Sequence, residues 1–248
     1  MTRISTAALL ALGLATSAHA FDITDMTESE RSAFRAEVRA YLMDNPEVLM
    51  EAIGVLEERQ AKQQAASDET LVQTNANALF EDGYSWVGGN LDGDITMVEF
   101  VDYKCGYCRK AHDEVAKLVN TDGNIKFILK EFPILGQESV LSSRFAIATK
   151  QLAGDDTYKK VHDKLITFRG TINDDNLRRL AESFDLDADA VMAQMAAPEV
   201  DTVLAENRAL AQRMNISGTP TFVLGPKMLR GYVPLDGMRQ IVAGVRAE

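Results

Sequence analysis

The sequence predicts an α/β domain that is preceded by a helical N-terminal segment and a linker. Apolar residues recur at helical spacing between residues 21 and 62. The stretch 63–83 is polar, rich in helix-forming residues and free of proline. From Tyr84 onward, strand-like and helix-like runs alternate as strand–helix–strand, a helical block at about 137–212, and strand–strand–helix.

The first 20 residues have the features of a secretory signal peptide. Arg3 gives a positive start, residues 7–15 are apolar, and Ala18-His19-Ala20 is a small-x-small cleavage site. The apolar run is too short to cross a membrane, for which a helix needs about 20 residues. We therefore expect a mature chain from Phe21 that is exported to the oxidising periplasm and has no membrane span.

The charge of the chain excludes two classes of partner. The chain has 37 acidic and 26 basic residues, a net charge of −11 at pH 7 with histidine neutral. Because such a surface repels polyanions, we expect no binding to nucleic acid or to anionic lipid.

Two short helices are predicted in the segment 21–62. Thr27 and Glu30 fit a capping box, and Asn45-Pro46-Glu47 ends the first helix and begins the second. About 35 residues cannot bury the apolar faces of two helices by themselves. These faces pack either on the main domain or on other copies of the chain. The linker at 63–83, expected to be semi-rigid and partly helical, favours self-association into a homo-oligomer.

The domain at 84–248 is predicted element by element from its apolar spacing. Breaks in the helical block are expected near Gly154, Gly170 and Asp185. The predicted strands include Ile95–Val101, Ile125–Leu129, Thr221–Leu224 and Met228–Tyr232. One helix follows the cysteines with Ala111, Val115, Leu118 and Val119 on its apolar face, and a last one spans Leu235–Val245.

The only two cysteines form the stretch Cys105-Gly106-Tyr107-Cys108. A structural disulfide here would close almost no loop, so it would remove little entropy from the unfolded chain. A structural zinc site needs four ligands, and the mature chain adds only His112 and His162. His112 could contact copper or zinc weakly, but we interpret it as a solvent-facing helix residue and expect no dedicated metal site.

A redox centre is the favoured interpretation. A strand that runs into Cys-x-x-Cys and then a helix places Cys105 at a helix N-terminus, where N–H groups stabilise a thiolate. Cys105 is then the nucleophile, and Cys108, one turn further and more buried, resolves the mixed disulfide. Gly106 and Tyr107 control how well the N–H groups reach the Cys105 sulfur. The redox-active disulfide needs no other cofactor.

Three motifs resemble the DsbA-like branch of the thioredoxin superfamily: MVEFVDYKCGYCRKAH, KEFPILGQES and SGTPTFVLG. The resemblance extends from Tyr84 to the C-terminus. It implies a thioredoxin fold with a helical insertion and the activity of a thiol-disulfide oxidoreductase. It also implies a cis peptide bond before Pro220, in a loop that faces the cysteines and offers the backbone of Thr219 to a substrate.

The same resemblance implies a role for Glu99. The matching acid of the family is buried under the cysteines and helps to move the Cys108 proton; burial would raise its pKa. The alternative is an exposed strand residue, and strand periodicity does not decide between the two. Lys130 is a candidate charge partner of Glu99.

The N-terminal helices, linker and Cys-Gly-Tyr-Cys together are similar to the suppressor-of-copper-sensitivity (ScsC) group. Some members of that group are described as trimeric isomerases. The resemblance implies a periplasmic disulfide isomerase or reductase, a homo-oligomer with a trimer as one form. Its partners would be misfolded or disulfide-bonded exported proteins and a membrane thiol reductant. The alternatives are a DsbA-like dithiol oxidase and, third, a copper-binding protein.

Overall fold

The structure is a computed structural model that describes residues 24–247, so the predicted signal peptide at 1–20 lies outside the described residues. The chain divides after Arg59 into two compact units. In order, the described elements are α1 (Glu28–Asp44), α2 (Glu47–Thr74), α3 (Ala76–Phe80), β1 (Trp86–Gly89), β2 (Ile95–Val101), α4 (Gly106–Asp122), β3 (Ile125–Glu131), α5 (Gln137–Thr167), α6 (Asp174–Glu182), α7 (Ala188–Met195), α8 (Pro198–Arg213), β4 (Thr221–Leu224), β5 (Lys227–Arg230) and α9 (Leu235–Ala247).

In the N-terminal unit, helix α1 begins with the expected capping box. Thr27 Oγ1 accepts from the Glu30 N–H at 3.3 Å, and the Glu30 carboxylate accepts from the Thr27 N–H at 2.9 Å. Helix α1 has no buried residue. The large apolar side chains exposed in this unit are Phe34, Val38, Tyr41, Met43, Leu49, Met50, Ile53, Val55 and Leu56.

Residues 63–83, which were expected to be a linker, are mostly helical. Helix α2 runs without a break from Glu47 to Thr74, and α3 follows at once. Val72 and Leu79 are 4% and 0% exposed and belong to a hydrophobic core of the second unit. Asp68 is buried and accepts a bond from Arg230 at 2.9 Å. Residues 68–80 therefore pack as part of the domain rather than spanning a gap.

The domain is built on a five-stranded sheet with the order β1-β3-β2-β4-β5. Strands β2 and β3 are parallel and joined through α4, whereas the other neighbours are antiparallel. This confirms the predicted thioredoxin-like α/β fold. β5 is shifted toward its N-terminus relative to the prediction, because Gly231 at φ 94° ends it.

The side chains of β2 alternate between two cores, as strand geometry requires. Met97 and Val101 lie in a core that also contains α4 and α5 residues. Val98 and Phe100 lie in the core that contains Val72 and Leu79. Because both faces of β2 are covered, even its one charged residue, Glu99, is only 4% exposed.

The helical insertion spans α5 to α8, close to the predicted 137–212. Its expected breaks occur at a kink at Gly154, φ 79°, in the loop containing Gly170, and at Asp185, φ 58°, between α6 and α7. Between residues 24 and 247, none of the helices combines the length and the apolar character that crossing a bilayer would require.

Candidate active site

Cys105 is the N-cap residue of α4, at the point where β2 leaves the sheet. Its Sγ accepts a hydrogen bond from the Cys108 N–H at 3.4 Å. As a thiol it donates to the Thr219 carbonyl oxygen at 3.1 Å. The Thr219–Pro220 peptide bond is cis. Both cysteines are free thiols, and the loop at Pro220 meets the redox pair directly.

The pKa values of the two thiols are shifted in opposite directions. A hydrogen bond from the Cys108 side chain, together with the backbone N–H groups of Cys108 and Tyr107, lowers the pKa of Cys105 to about 5. The same bond and burial raise the pKa of Cys108 far above that of an ordinary thiol. At neutral pH the pair is therefore a Cys105 thiolate and a Cys108 thiol, the arrangement that a nucleophile and a resolving cysteine require.

Asp102 holds the active-site turn in place. Its buried carboxylate accepts from the Lys104 N–H at 2.8 Å and from the N–H groups of Ile134 and Leu135 at 2.7 and 3.0 Å. The Asp102 carbonyl accepts from the Cys105 N–H at 3.1 Å. One side chain thus ties the turn after β2 to the loop after β3. The sequence analysis missed this role.

Glu99 lies on the face of β2 that points toward the cysteines. Burial, then the negative charge of Cys105 and of Glu131, raises its pKa to about 8. In turn the Glu99 charge contributes to the high pKa of Cys108. The carboxyl group is therefore close enough to the buried thiol to couple with it electrostatically.

Lys130 is not the charge partner of Glu99, and this expectation was wrong. In the parallel ladder Glu99 pairs with Leu129, so Lys130 points to the opposite face of the sheet. There it forms a buried ion pair with Asp82. Apolar spacing does not specify the register of the two strands, and a shift of one residue exchanges the faces.

A second buried carboxylate was missed. Glu131 Oε1 accepts hydrogen bonds from the hydroxyls of Tyr103 and Tyr158, each at 2.7 Å. Tyr103 also contacts His162 Nδ1 at 3.0 Å. Burial raises the pKa of Glu131 to about 7. Tyr103 follows β2 and Glu131 ends β3, and these two strands are parallel neighbours. Polar residues at the carboxyl ends of adjacent parallel strands could have indicated a polar site.

His112 does not face solvent as expected. Its side chain is 15% exposed, and its ring centroid lies 5.5 Å from that of His162. A cavity of about 100 Å³ is lined by both histidines, Glu99 and Lys159, among others. Because α5 packs over α4, helical spacing alone did not show that this side of α4 is covered.

Between the cysteines, Gly106 has open space around it and Tyr107 is 62% exposed. The Tyr107 ring stacks on Tyr232 with centroids 6.2 Å apart, and Lys110 Nζ lies 4.1 Å from the centre of the Tyr232 ring. Tyr232 in turn donates to Glu114 at 2.7 Å. An aromatic surface therefore borders the Cys105 sulfur.

Together these residues have the parts needed for thiol–disulfide exchange. The Cys105 thiolate can attack a disulfide sulfur, which releases one thiolate and forms a mixed disulfide. In the mixed disulfide Cys105 carries no negative charge, so one cause of the raised Glu99 pKa is absent and Glu99 ionises more readily. The ionised Glu99 can then take the Cys108 proton, and the Cys108 thiolate attacks the Cys105 sulfur. That step releases the second sulfur and leaves a Cys105–Cys108 disulfide.

Solved structures similar to this chain support the fold. A thioredoxin-like oxidoreductase from Silicibacter pomeroyi DSS-3 is 37% identical, with a TM-score of 0.65 over 70% of this chain and 99% of that one. Proteus mirabilis ScsC in a transitional conformation is 25% identical, with a TM-score of 0.65 over 91% of this chain and 99% of that one.

Among curated proteins, Na(+)/H(+) antiporter NhaA 1 of Salinispora arenicola (strain CNS-205) is 26% identical over 162 residues, which are 65% of this chain. The chain spans only 24% of that relative's length. The model of the copper resistance protein ScsC N-terminal domain matches residues 30–63. The model of the DSBA-like thioredoxin domain matches residues 96–243, more than half of the chain, so this protein belongs to the DSBA-like thioredoxin domain family.

Proposed function

We propose that this chain is a periplasmic thiol-disulfide oxidoreductase that works as a disulfide isomerase or reductase on exported proteins. One observation carries the redox part: the Cys105 sulfur, at a helix N-terminus, is 3.1 Å from the carbonyl oxygen of Thr219. An extended substrate segment that pairs with the backbone at Thr219 would bring its disulfide to Cys105.

Isomerisation uses the same chemistry without a net change in oxidation. Cys105 attacks a wrong disulfide and forms a mixed disulfide, and a different substrate thiolate then displaces Cys105. One disulfide is broken and another is made, so Cys105 and Cys108 are both thiols again at the end of the reaction. When Cys108 displaces the substrate first, the outcome is reduction, and an external thiol donor must restore the pair.

The N-terminal unit supports the isomerase role. In the described part of this unit, residues 24–59, nine large apolar side chains between Phe34 and Leu56 are exposed. Exposed apolar faces of this kind are typical of a helix–helix interface between copies of a chain. The unit coincides with the match to the ScsC N-terminal domain. Copies joined there would present several Cys105 thiolates to one misfolded protein, which raises their effective concentration.

The second candidate is a dithiol oxidase, and the low pKa of Cys105, about 5, favours it. A stabilised thiolate stabilises the reduced pair, so the oxidised pair is the better electron acceptor. This candidate does not need the N-terminal unit.

Reactivation of a scrambled-disulfide protein separates the two candidates. We would compare the chain from Phe21 with a Val38→Asp/Ile53→Asp variant and a control, Leu91→Asp, whose exposed apolar residue lies outside the N-terminal unit. Sedimentation measures the subunit number of each. An isomerase that depends on assembly predicts that the double variant dissociates and loses reactivation while it still oxidises dithiols.

Equal reactivation by monomer and oligomer would refute the assembly argument. Rapid dithiol oxidation without reactivation by any of the three proteins would leave the oxidase as the function. A deletion variant should begin at Gln60 and not at Gly83, because Val72 and Leu79 belong to the domain core.

A further inference from the structure

A cluster of metal-ligating side chains lies beside the redox site and has no part in the exchange chemistry. It consists of His112 on α4 and of His162 and Asp163 on α5, and one donor atom from each lies within 4.8 Å of the other two. His112 Nε2 is 3.3 Å from an Asp163 carboxylate oxygen. Two imidazoles and a carboxylate therefore converge from two helices.

The hydrogen bonds around His162 favour one tautomer of its ring. Tyr103 donates its single hydroxyl hydrogen to Glu131 at 2.7 Å, so the Tyr103 oxygen accepts from His162 Nδ1 at 3.0 Å. His162 Nδ1 then carries the hydrogen, and Nε2 carries the lone pair. Metal-binding histidines are commonly held in this way, with the second nitrogen bonded to an acceptor that orients the ring.

Both histidines are largely withdrawn from solvent: His162 is 3% exposed, and the His112 side chain is 15% exposed. The cluster is therefore a partly enclosed site rather than a set of surface side chains.

We propose that His112, His162 and Asp163 bind one divalent transition-metal ion, Zn²⁺ or Cu²⁺. Imidazole nitrogen combined with carboxylate oxygen suits these ions. Ligand atoms lie about 2.0–2.2 Å from zinc, so the three donors must close by roughly an ångström, which side-chain rotation can supply. Three protein ligands leave a fourth position for a water molecule, and the cavity lined by both histidines and Glu99 adjoins the cluster.

Lys159 is the natural competitor of the ion. Its ammonium group lies 2.5 and 2.7 Å from the two carboxylate oxygens of Asp163. A metal ion must displace this group from at least one oxygen. Removing the ammonium group with Lys159→Gln should therefore tighten metal binding, an effect that a merely structural histidine pair would not produce.

Calorimetry with Zn²⁺ alone and electron paramagnetic resonance with Cu²⁺ alone test the site. The protein is the untagged chain from Phe21 in its disulfide form, so that Cys105 and Cys108 cannot act as thiolate ligands. We expect one ion per chain and two nitrogen ligands in the Cu²⁺ spectrum. Loss of His112 or of His162, as His112→Gln or His162→Gln, should weaken binding at least about tenfold, the smallest effect typical even of outer-shell changes.

Asp113 provides the matched control, because it is an exposed acid next to His112 outside the cluster. Asp113→Asn removes the same charge as Asp163→Asn but no ligand atom, so it should weaken binding far less. Equal losses of affinity in both variants would mean that the ion is attracted to the acidic surface in general and is not bound at this site. Binding that persists in His112→Gln, or that occurs only in the reduced protein, would also overturn the proposal. His112 is partly exposed, so this variant decides the question even if His162→Gln does not fold.

Discussion

The Cys105 sulfur lies 3.1 Å from the carbonyl oxygen of Thr219, a residue 114 positions later in the chain. This contact joins the N-terminus of α4 to the loop before β4. The strands that precede and follow these loops, β2 and β4, are direct neighbours in the sheet. The relation of nucleophile and substrate-facing backbone is therefore set by strand pairing.

The first prediction concerns the reactivity of Cys105. Its alkylation by iodoacetamide should follow the thiolate fraction, with a midpoint at about pH 5. In Cys108→Ala the midpoint should rise, because the hydrogen bond from the Cys108 side chain is the largest cause of the low pKa. A midpoint near 9.0, the value of an ordinary thiol, would contradict the geometry.

The second prediction concerns stability and pH in the reduced protein. The Glu99 pKa rises from 4.5 in the unfolded chain to about 8 in the folded one. Between these values the folded state holds a proton that the unfolded state has lost. Each pH unit then lowers the free energy of unfolding by about 1.4 kcal/mol, and the stabilisation is complete only below the unfolded pKa.

Glu99→Gln removes this titration. Urea unfolding should show that the variant gains stability over the native chain as the pH rises from 5 to 8. The exposed acid Glu182 supplies the control, and Glu182→Gln should show a difference that does not change over this range. If the unfolding free energies of Glu99→Gln and of the native chain change with pH in the same way, Glu99 is ionised at neutral pH.

The third prediction separates the two steps of exchange. If Glu99 accepts the Cys108 proton, Glu99→Gln should slow release of the mixed disulfide by about 10²-fold, the lower end for a general base. The initial attack by Cys105 should keep its rate. Acid quenching followed by mass spectrometry measures both steps, and equal slowing of both would argue against proton transfer through Glu99.

The fourth prediction concerns the dipeptide between the cysteines. Tyr107→His places a group that can be cationic next to the Cys105 thiolate and should stabilise the reduced pair. We expect a more oxidising potential, by about 30 mV for each tenfold change in the equilibrium constant with glutathione. Tyr107→Phe keeps the aromatic contact with Tyr232 and should leave the potential unchanged; a shift in that control would point to packing rather than charge.

The fifth prediction tests the packing of α3. Leu79 is fully buried, so Leu79→Ala should cost about 2–5 kcal/mol of unfolding free energy. Leu152 is 49% exposed, and Leu152→Ala should change stability by no more than about 0.5 kcal/mol. If the two variants are equally stable in urea, residues 63–83 are a linker after all.

The sequence by itself determined the local features of this protein. The capping box at Thr27, the strand Ile95–Val101, the helix after the cysteines and the breaks at Gly154 and Asp185 each depend on residues a few positions apart. The place of Cys105 at a helix N-terminus follows from the same short-range rules.

Only the tertiary structure decided which faces these elements cover. It separated Lys130 from Glu99 by strand register, buried Val72 and Leu79 against the sheet, and enclosed His112 under α5. Glu131, Asp102 and Tyr103 gained their roles from partners at least 27 positions away. The spacing of apolar residues shows which side of a helix or strand is buried. It does not show which element packs against that side, because this depends on the packing of the whole chain.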